Sequence, residues 1–199
     1  MITRAAYMRN RHLLAFFGGV IVLIMVIAMV GIGPSNAAQA PIGLGTADSF
    51  GVLGGSTVTN TGASVISGDL GVSPGKAVTG FPPGLVNNGT IHSADGVATG
   101  AQADLTTAYN LAAGQQATAT VGAELGGRTF TSGVYKGNVL GLTGALTLDA
   151  QGDPSAVFIF QSASTLITAS ASRVVLINGA SPCNVYWQVG SSATLVRRV

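Results

Sequence analysis

Charge is scarce in this chain. Of its 199 residues, nine are Lys or Arg and seven are Asp or Glu, 8% in all, against roughly 25% in an average soluble protein. The net charge of +2 is itself misplaced: Arg4, Arg9 and Arg11 all precede the first acid, Asp48, so everything after Arg11 carries net −1. A body so poor in Lys and Arg has no basic surface with which to hold nucleic acid. The single cysteine, Cys183, excludes an internal disulfide. The two histidines, His12 and His92, lie far apart and in different parts of the chain, so no His pair is spaced for a metal site or a catalytic base. Seven acids scattered over the body, rather than gathered in a groove, argue against a polysaccharide-acting enzyme. The composition fits a protein that is no enzyme and needs no cofactor.

What the chain does have is glycine and small hydroxyl residues. Glycine occurs 29 times, about twice the average frequency, and Ser and Thr are abundant from Pro41 onward. A body of this kind argues against a helical bundle. Its length, from Pro41 to Val199, suits one domain with a sizeable core. The mean hydropathy of +0.51 is too high for a disordered chain.

Residues 1–40 have a different character. Three Arg and one His precede eighteen uncharged, mostly aliphatic residues from Leu13 to Val30, and Gly33-Pro34 and Ala38-Gln39-Ala40 follow. That is the basic, apolar and small-residue order of a secretory signal peptide. Eighteen apolar residues also approach the length of a membrane span, so an uncleaved N-terminal signal anchor is the alternative. Either way the Arg residues stay cytoplasmic and the body is exported. The protein is expected to be secreted or extracellular, touching a membrane only through residues 13–30 if these are retained.

Within residues 41–199 the pattern is mostly that of short strands. Thr57, Thr59 and Thr61 alternate with Val58 and Asn60, the period-2 signature of a strand with one polar face. Residues 65–75 end in a turn at Pro74-Gly75, and residues 80–92 read as loop, with Pro82-Pro83-Gly84 and Asn87-Asn88-Gly89. One stretch differs: Asp95 to Ala113 places Val97, Ala101, Leu105, Ala108, Tyr109 and Ala112 at helical spacing, with Ser93 or Asp95 to cap it and Gly114 to end it. A thin, alanine-rich stripe of this kind suits a helix lying flat on a sheet. Strands resume at Phe130–Tyr135, Leu146–Leu148, Val157–Phe160, Val174–Ile177 and Val185–Val189. They recur without a strict period, which suits a solenoid with irregular coils. A sandwich remains open on periodicity alone, although Asn178-Gly179 is the one dipeptide with the look of a hairpin turn.

Particular motifs go further than the period. Ile42-Gly43-Leu44-Gly45-Thr46-Ala47-Asp48-Ser49-Phe50-Gly51-Val52-Leu53 leads to Ser67-Gly68-Asp69-Leu70-Gly71-Val72-Ser73-Pro74-Gly75. Ala103-Asp104-Leu105-Thr106-Thr107-Ala108-Tyr109 follows, then Phe130-Thr131-Ser132-Gly133-Val134-Tyr135 and Leu146-Thr147-Leu148-Asp149-Ala150. Asp153-Pro154-Ser155-Ala156-Val157-Phe158-Ile159-Phe160-Gln161 and Asn184-Val185-Tyr186-Trp187-Gln188-Val189-Gly190 complete the series. In this order, over residues 42–195, the chain resembles the secreted microbial ice-binding proteins of irregular β-helix type. The resemblance implies a mainly β fold, a right-handed discontinuous parallel β-helix of roughly triangular section with one long α-helix alongside, about residues 95–113. It also implies adsorption to ice through one flat face bearing rows of Thr and other small residues, and hence inhibition of ice growth or recrystallisation. The family domain runs on through further coils where this chain has Val196-Arg197-Arg198-Val199, so the domain at 41–199 is expected to be incomplete at its C-terminus.

The ice reading has a physical basis of its own. Parallel strands stack about 4.7–4.9 Å apart, and outward residues i and i+2 on one strand stand about 6.6 Å apart. A β face is therefore a two-dimensional grid. Thr suits it because β-branching fixes χ1 and so holds methyl and hydroxyl at repeatable positions. The methyl cages water and the hydroxyl anchors it, so that an ordered water layer on the face can merge with ice. Charged groups would organise their own hydration and spoil that layer. The candidate residues are Thr57, Thr59, Thr61 and Ser64, and Thr165, Thr168, Ser170, Ser172 and Thr194, with Ala169 and Ala171 pointing inward. The partner is then an ice or ordered-water surface. A non-enzymatic cell-surface or adhesion module on the same scaffold is the alternative.

The remaining constellations read as structural. Asp149 and Asp153 flank Gly152, but two carboxylates are thin for a calcium ion that takes six to eight oxygens. Asp69 reads as a turn residue, His92 as a hydrogen-bonding loop residue and Cys183 as a small loop or core residue. Asn88-Gly89-Thr90 fits a glycosylation acceptor. Tyr186 and Trp187 have opposite strand parity, so one of them faces the core.

Overall fold

The computed structural model describes residues 39–196. The signal or anchor segment read over residues 1–40 falls outside the described residues except for its last two positions, and among the described residues no helix is long and apolar enough to cross a membrane. After a 3-10 turn at Gly45–Ser49 the chain forms seven short strands: β1 Phe50–Gly54, β2 Thr57–Thr59, β3 Val65–Ser67, β4 Asp69–Val72, β5 Ala77–Thr79, β6 Leu85–Asn87 and β7 Ile91–Ser93. The helix α1 spans Gly96–Gly114. Ten strands follow: β8 Ala119–Thr120, β9 Thr129–Phe130, β10 Gly133–Gly137, β11 Leu140–Leu142, β12 Ala145–Asp149, β13 Phe158–Ser162, β14 Thr165–Thr168, β15 Arg173–Ile177, β16 Val185–Val189 and β17 Ser192–Leu195.

Among the described residues every strand pairing is parallel. A sandwich built from hairpins is thereby excluded. Asn178 and Gly179 do take left-handed φ of 52° and 90°, but they turn the chain from β15 into a second 3-10 turn at Pro182–Asn184, not into an antiparallel partner. Strands pair once per coil. In the first run Thr57 pairs with Ala77 and Val65 with Leu85, whereas in the second Ile159 pairs with Tyr186 across a longer coil. The unequal coils explain why no strict period shows in the sequence. The first run stacks as sheets β1-β4-β7, β2-β5 and β3-β6. The second stacks as β16-β13-β10-β8, β11-β14-β17 and β15-β12-β9. The chain is thus a parallel β-solenoid with three walls, built in two runs on either side of α1 in sequence. β6 and β7 lie in the stretch expected to be loop. With three residues each and Pro or Gly close by, they offer too little period-2 signal to read.

The helix begins where the sequence indicated. Asp95 is the N-cap, its Oδ1 accepting from Ala98 N at 2.8 Å, and residues Ala98, Ala101, Ala108 and Ala112 are buried. Val97 is not part of that stripe: it is 51% exposed, one position off the 3-4 spacing that the four alanines keep. Alanine lets α1 approach the first wall of both runs. Val134, Val157 and Ile159 pack against Ala108 and Ala112 together with Ile42.

Inside the second run the core is a stack of like residues in successive coils. Tyr135, Phe160 and Trp187 are in register, with ring centroids of Tyr135 and Phe160 5.6 Å apart and of Phe160 and Trp187 4.4 Å apart, both pairs stacked. Tyr186, its neighbour, sits on the helix side. Leu140, Leu146 and Leu148 are fully buried on the other two walls. Burying each such side chain contributes about 1.5–3 kcal/mol. The coil geometry, with i and i+1 facing opposite sides, is what divides these apolar residues from the hydroxyl residues described next.

Candidate functional site

The helix fixes which walls of the two runs correspond. Moving from its C-terminus to its N-terminus, α1 meets β13, β16, β1 and β4 in turn. Gln161 Nε2 donates to Ala112 O at 2.7 Å, Tyr109 Oη to Val189 O at 3.2 Å and Gln102 Nε2 to Gly54 O at 2.8 Å, while Ser73 Oγ lies 3.1 Å from Thr99 Oγ1. Both runs therefore climb the helix in the same direction, and parallel crossovers take the same right-handed sense. The wall after the helix-covered one is then β2-β5 in the first run and β11-β14-β17 in the second, and these two sheets belong to one side of the solenoid.

The outward residues of that side are mostly hydroxyl-bearing. On β2 and β5, Val58 and Val78 face inward, leaving Thr57 beside Ala77 and Thr59 beside Thr79; Thr79 Oγ1 donates to Thr59 Oγ1 at 3.4 Å. On β14 and β17, Leu166 is buried in register with Leu140 and Ala193, so Thr165 and Ser192 pair outward and Ile167 stands beside Gly141 and Thr194. The pairings on this side run without a bulge, unlike β1 with β4. No titratable side chain is among these outward residues. At the end of the stack, exposed Glu124 continues the outward column of Gly141, Ile167 and Thr194, and its carboxylate accepts from Thr143 N at 2.9 Å and from Gly126 N, bonds that hold it below the usual carboxylate range.

Of the residues expected from sequence, Thr57, Thr59, Thr165 and Thr194 lie on this face. Thr61 and Ser64 lie past the end of β2 at the corner leading to β3, where Ser64 Oγ donates to Asn60 Oδ1 at 2.8 Å. Thr168 is off the face. It stands in register with Leu142, which is 5% exposed, and with Leu195, so it has core-side parity, and its Oγ1 accepts from Val196 N at 3.0 Å. Ser170 and Ser172 are off it too. They belong to the turn between β14 and β15, where Ala171 takes φ 60° and Ser172 N donates to Ala169 O at 3.2 Å, so strand parity does not apply to them or to Ala171. Thr79, Ser192 and Ile167, which is 50% exposed, were missed. A signal for the first existed: Ala77-Val78-Thr79 repeats Thr57-Val58-Thr59 one coil later.

Elsewhere the polar groups are occupied by structure. Asp149 Oδ1 accepts from Gln151 N and Asn178 Nδ2, both at 2.8 Å, and Asp153 Oδ1 accepts from Ser155 N and Oγ. No group of three or more His, Cys, Asp or Glu side chains placed to hold a metal occurs among the described residues. His92 is on β7 and not in a loop; its Nδ1 lies 2.8 Å from Asp95 Oδ2 and its Nε2 2.9 Å from Thr90 Oγ1, with Phe50 against the ring. Asp69 opens β4 and accepts from Thr90 N at 2.9 Å. Cys183 is exposed in the second 3-10 turn.

These features define a class, a three-walled parallel β-solenoid with a helix on one wall and a mainly hydroxyl-and-methyl grid on the next. The family model described as ice-binding-like matches residues 52–198, and the chain belongs to that family. It is 58% identical over 154 residues to an ice-binding protein of Nostoc sp. (strain HG1), covering 76% of this chain and 56% of the relative. It is 34% identical over 172 residues to an ice-binding protein of Flavobacterium frigoris (strain PS1), covering 77% and 60%. The chain thus spans little more than half the length of those relatives. Among solved structures, an ice-binding protein from an Antarctic biological consortium matches with TM-score 0.76 and 50% identity over 82% of this chain and 75% of that one. The ice-binding protein of the Antarctic ascomycete Antarctomyces psychrotrophicus matches with TM-score 0.74 and 45% identity over 78% of each.

Proposed function

We propose that the protein is an exported, non-enzymatic ice-binding protein that adsorbs to ice through the wall carrying Thr57, Thr59, Thr79, Thr165, Ser192 and Thr194. The observation that carries this reading is the coincidence of two properties on one side: bulge-free parallel register, and outward residues on the paired strands that are hydroxyl-bearing or aliphatic, the one carboxylate, Glu124, lying at the end of the stack. The strand spacing turns those residues into a grid of about 4.8 by 6.6 Å. The relatives named for ice binding support the same assignment. Adsorption needs no turnover, cofactor or metal, and its partner is the ordered water of the crystal surface. Secretion, or anchorage by residues 13–30, places the solenoid outside the cell, where ice forms.

The test is ice-affinity partitioning. A slowly growing ice front is passed through a solution of the protein and a charged control protein of similar size. The reading requires enrichment of this protein in the ice fraction and suppressed coarsening of polycrystalline ice. Exclusion into the liquid with unchanged coarsening would leave the scaffold as an adhesion module.

A further inference from the structure

The strands of the threonine wall, β2, β5, β11, β14 and β17, have three or four residues each. The coil before β11 contributes only one bridged residue to that wall, Glu124, opposite Gly141. Its backbone makes two rungs, Gly141 N donating to Ala123 O and Leu125 N to Gly141 O at 2.9 Å. In a parallel ladder the next rung would take the N–H of Thr143 to the carbonyl of Leu125. Leu125 O is instead turned toward Arg128 N, which donates to it at 3.3 Å as the chain leaves for β9. Backbone alone would therefore leave the end of β11 with an orphan N–H.

The side chain of Glu124 takes the place of that carbonyl. Its Oε1 accepts from Thr143 N at 2.9 Å and from Gly126 N as well, so one carboxylate oxygen ties the end of β11 to the corner of the coil before it. The two coils already touch there: a Cβ added to Gly126 would lie 1.7 Å from Thr143 O. The second oxygen, Oε2, lies over Gly141, 3.6 Å from where a Cβ of that residue would stand. Gly141 is the one position of its outward column without a side chain. The carboxylate thus lies down along the wall in the space the glycine leaves, its charge turned toward backbone N–H groups.

We infer that Glu124 is a positioning residue for ice contact, its carboxylate supplying the missing rung that keeps β11 in the plane of the threonine wall. This role rests on the ice reading of that wall. A grid of outward residues matches an ordered water layer only while its strands hold their spacing, and the last strand of a stack is where a sheet opens first. Hydrogen bonds from backbone N–H groups to a carboxylate are of the stronger, charge-assisted kind, so one acidic side chain does at this end what a longer strand does elsewhere. If the acid acted on the wall only through its charge, by organising its own hydration, its removal would improve ice contact; a positioning role requires the opposite.

Glu124→Ala, Glu124→Gln and Asp153→Ala are compared with the wild-type chain by amide hydrogen exchange in liquid solution and by ice-affinity partitioning. Gln keeps the side-chain length and an accepting oxygen. Asp153 is a carboxylate of the same kind at the corner between β12 and β13, off the wall, where it holds Ser155 N and Oγ. In Glu124→Ala the Thr143 and Gly126 amides are expected to exchange about tenfold faster or more, that of Leu148 in β12 to be unchanged, and incorporation into ice to fall. Glu124→Gln is expected to recover most of both losses, and Asp153→Ala to enter ice as the wild type does. Unchanged exchange at Thr143 overturns the inference, as does faster exchange with undiminished or increased incorporation. So does a loss in Glu124→Gln as deep as in Glu124→Ala, or an equal loss in Asp153→Ala. A wild-type chain left in the liquid would overturn the ice reading and the positioning role with it, while exchange at Thr143, read without ice, still shows whether the carboxylate closes the corner.

Discussion

Thr59 and Thr79 stand side by side on adjacent parallel strands, one coil apart in sequence, with their hydroxyl oxygens 3.4 Å from each other. One coil of the solenoid has brought two identical side chains to neighbouring points of one outward grid. The exposed pair does little for stability: a long hydrogen bond in water is worth well under about 1 kcal/mol net. Thr79→Val retains the β-branched shape and removes the hydroxyl. It is expected to change unfolding free energy by less than about 0.5 kcal/mol while reducing the fraction of protein carried into ice. Chemical denaturation and ice partitioning of the same preparation check the two halves of that statement.

The aromatic stack Tyr135–Phe160–Trp187 should dominate the stability of the second run. Phe160 is fully buried and touches both neighbours and the edge of Phe130. Phe160→Ala is expected to cost about 3–5 kcal/mol, seen as a lower denaturant midpoint, and to red-shift Trp187 emission as its ring loses its cover.

Corners of the coil depend on glycine at particular points. Gly80 follows β5 with φ 78°, and an added Cβ would lie 1.9 Å from Asn60 O, on the backbone of the coil before it. Gly80→Ala is therefore both strained in φ and sterically blocked. A loss of at least about 2 kcal/mol is expected, measurable by thermal or urea unfolding. Gly144→Ala, with φ 76° and nothing near the added atom, should lose only the backbone contribution of about 1 kcal/mol.

Acid should weaken the fold by a defined route. Asp95 is held below the ordinary carboxylate range chiefly by the Ala98 backbone N–H and next by its hydrogen bond with His92. Asp69, Asp104, Glu124 and Asp153 are lowered as well, each first by a hydrogen bond to the ionised form. A depressed folded pKa stabilises the protein above the unfolded-state value, about 3.9 for Asp and 4.3 for Glu, and that contribution is lost as pH falls through the folded pKa. Melting temperature is expected to drop between about pH 5 and pH 2. Asp95→Asn, which keeps a competent N-cap, should flatten part of that slope. Ice partitioning should stay level between pH 5 and 9, since the one carboxylate on the threonine wall, Glu124, is held below the usual carboxylate range and stays ionised throughout.

Much of this architecture was legible in residues. Asp95 and the alanines of α1 announced a capped, flat-lying helix, and the apolar strands from Leu146 to Val189 announced the second run. Three-residue strands such as Leu85–Asn87 and Ile91–Ser93 were not legible, because two alternations bounded by Pro and Gly look like loop. The site was half legible for a related reason. Parity within one strand identified Thr57 and Thr59. For Thr168 and Ser170, however, facing depends on where β14 ends: the register with Leu142 turns Thr168 toward the core, and the strand stops before Ser170. Thr79 required counting one coil length from Thr59, a distance set by three-dimensional closure and different in the two runs.

The central claim is that the wall of β2, β5, β14 and β17 is the ice-contacting surface. Its most direct test compares two double variants by ice-affinity partitioning at matched folding, verified by circular dichroism. Thr59→Tyr with Thr165→Tyr places two bulky rings on the wall, and Ser170→Tyr with Val97→Tyr places them on exposed positions away from it. The account predicts at least a tenfold loss of incorporation for the first pair and wild-type incorporation for the second. Equal incorporation by both pairs, or loss confined to the second, would contradict it.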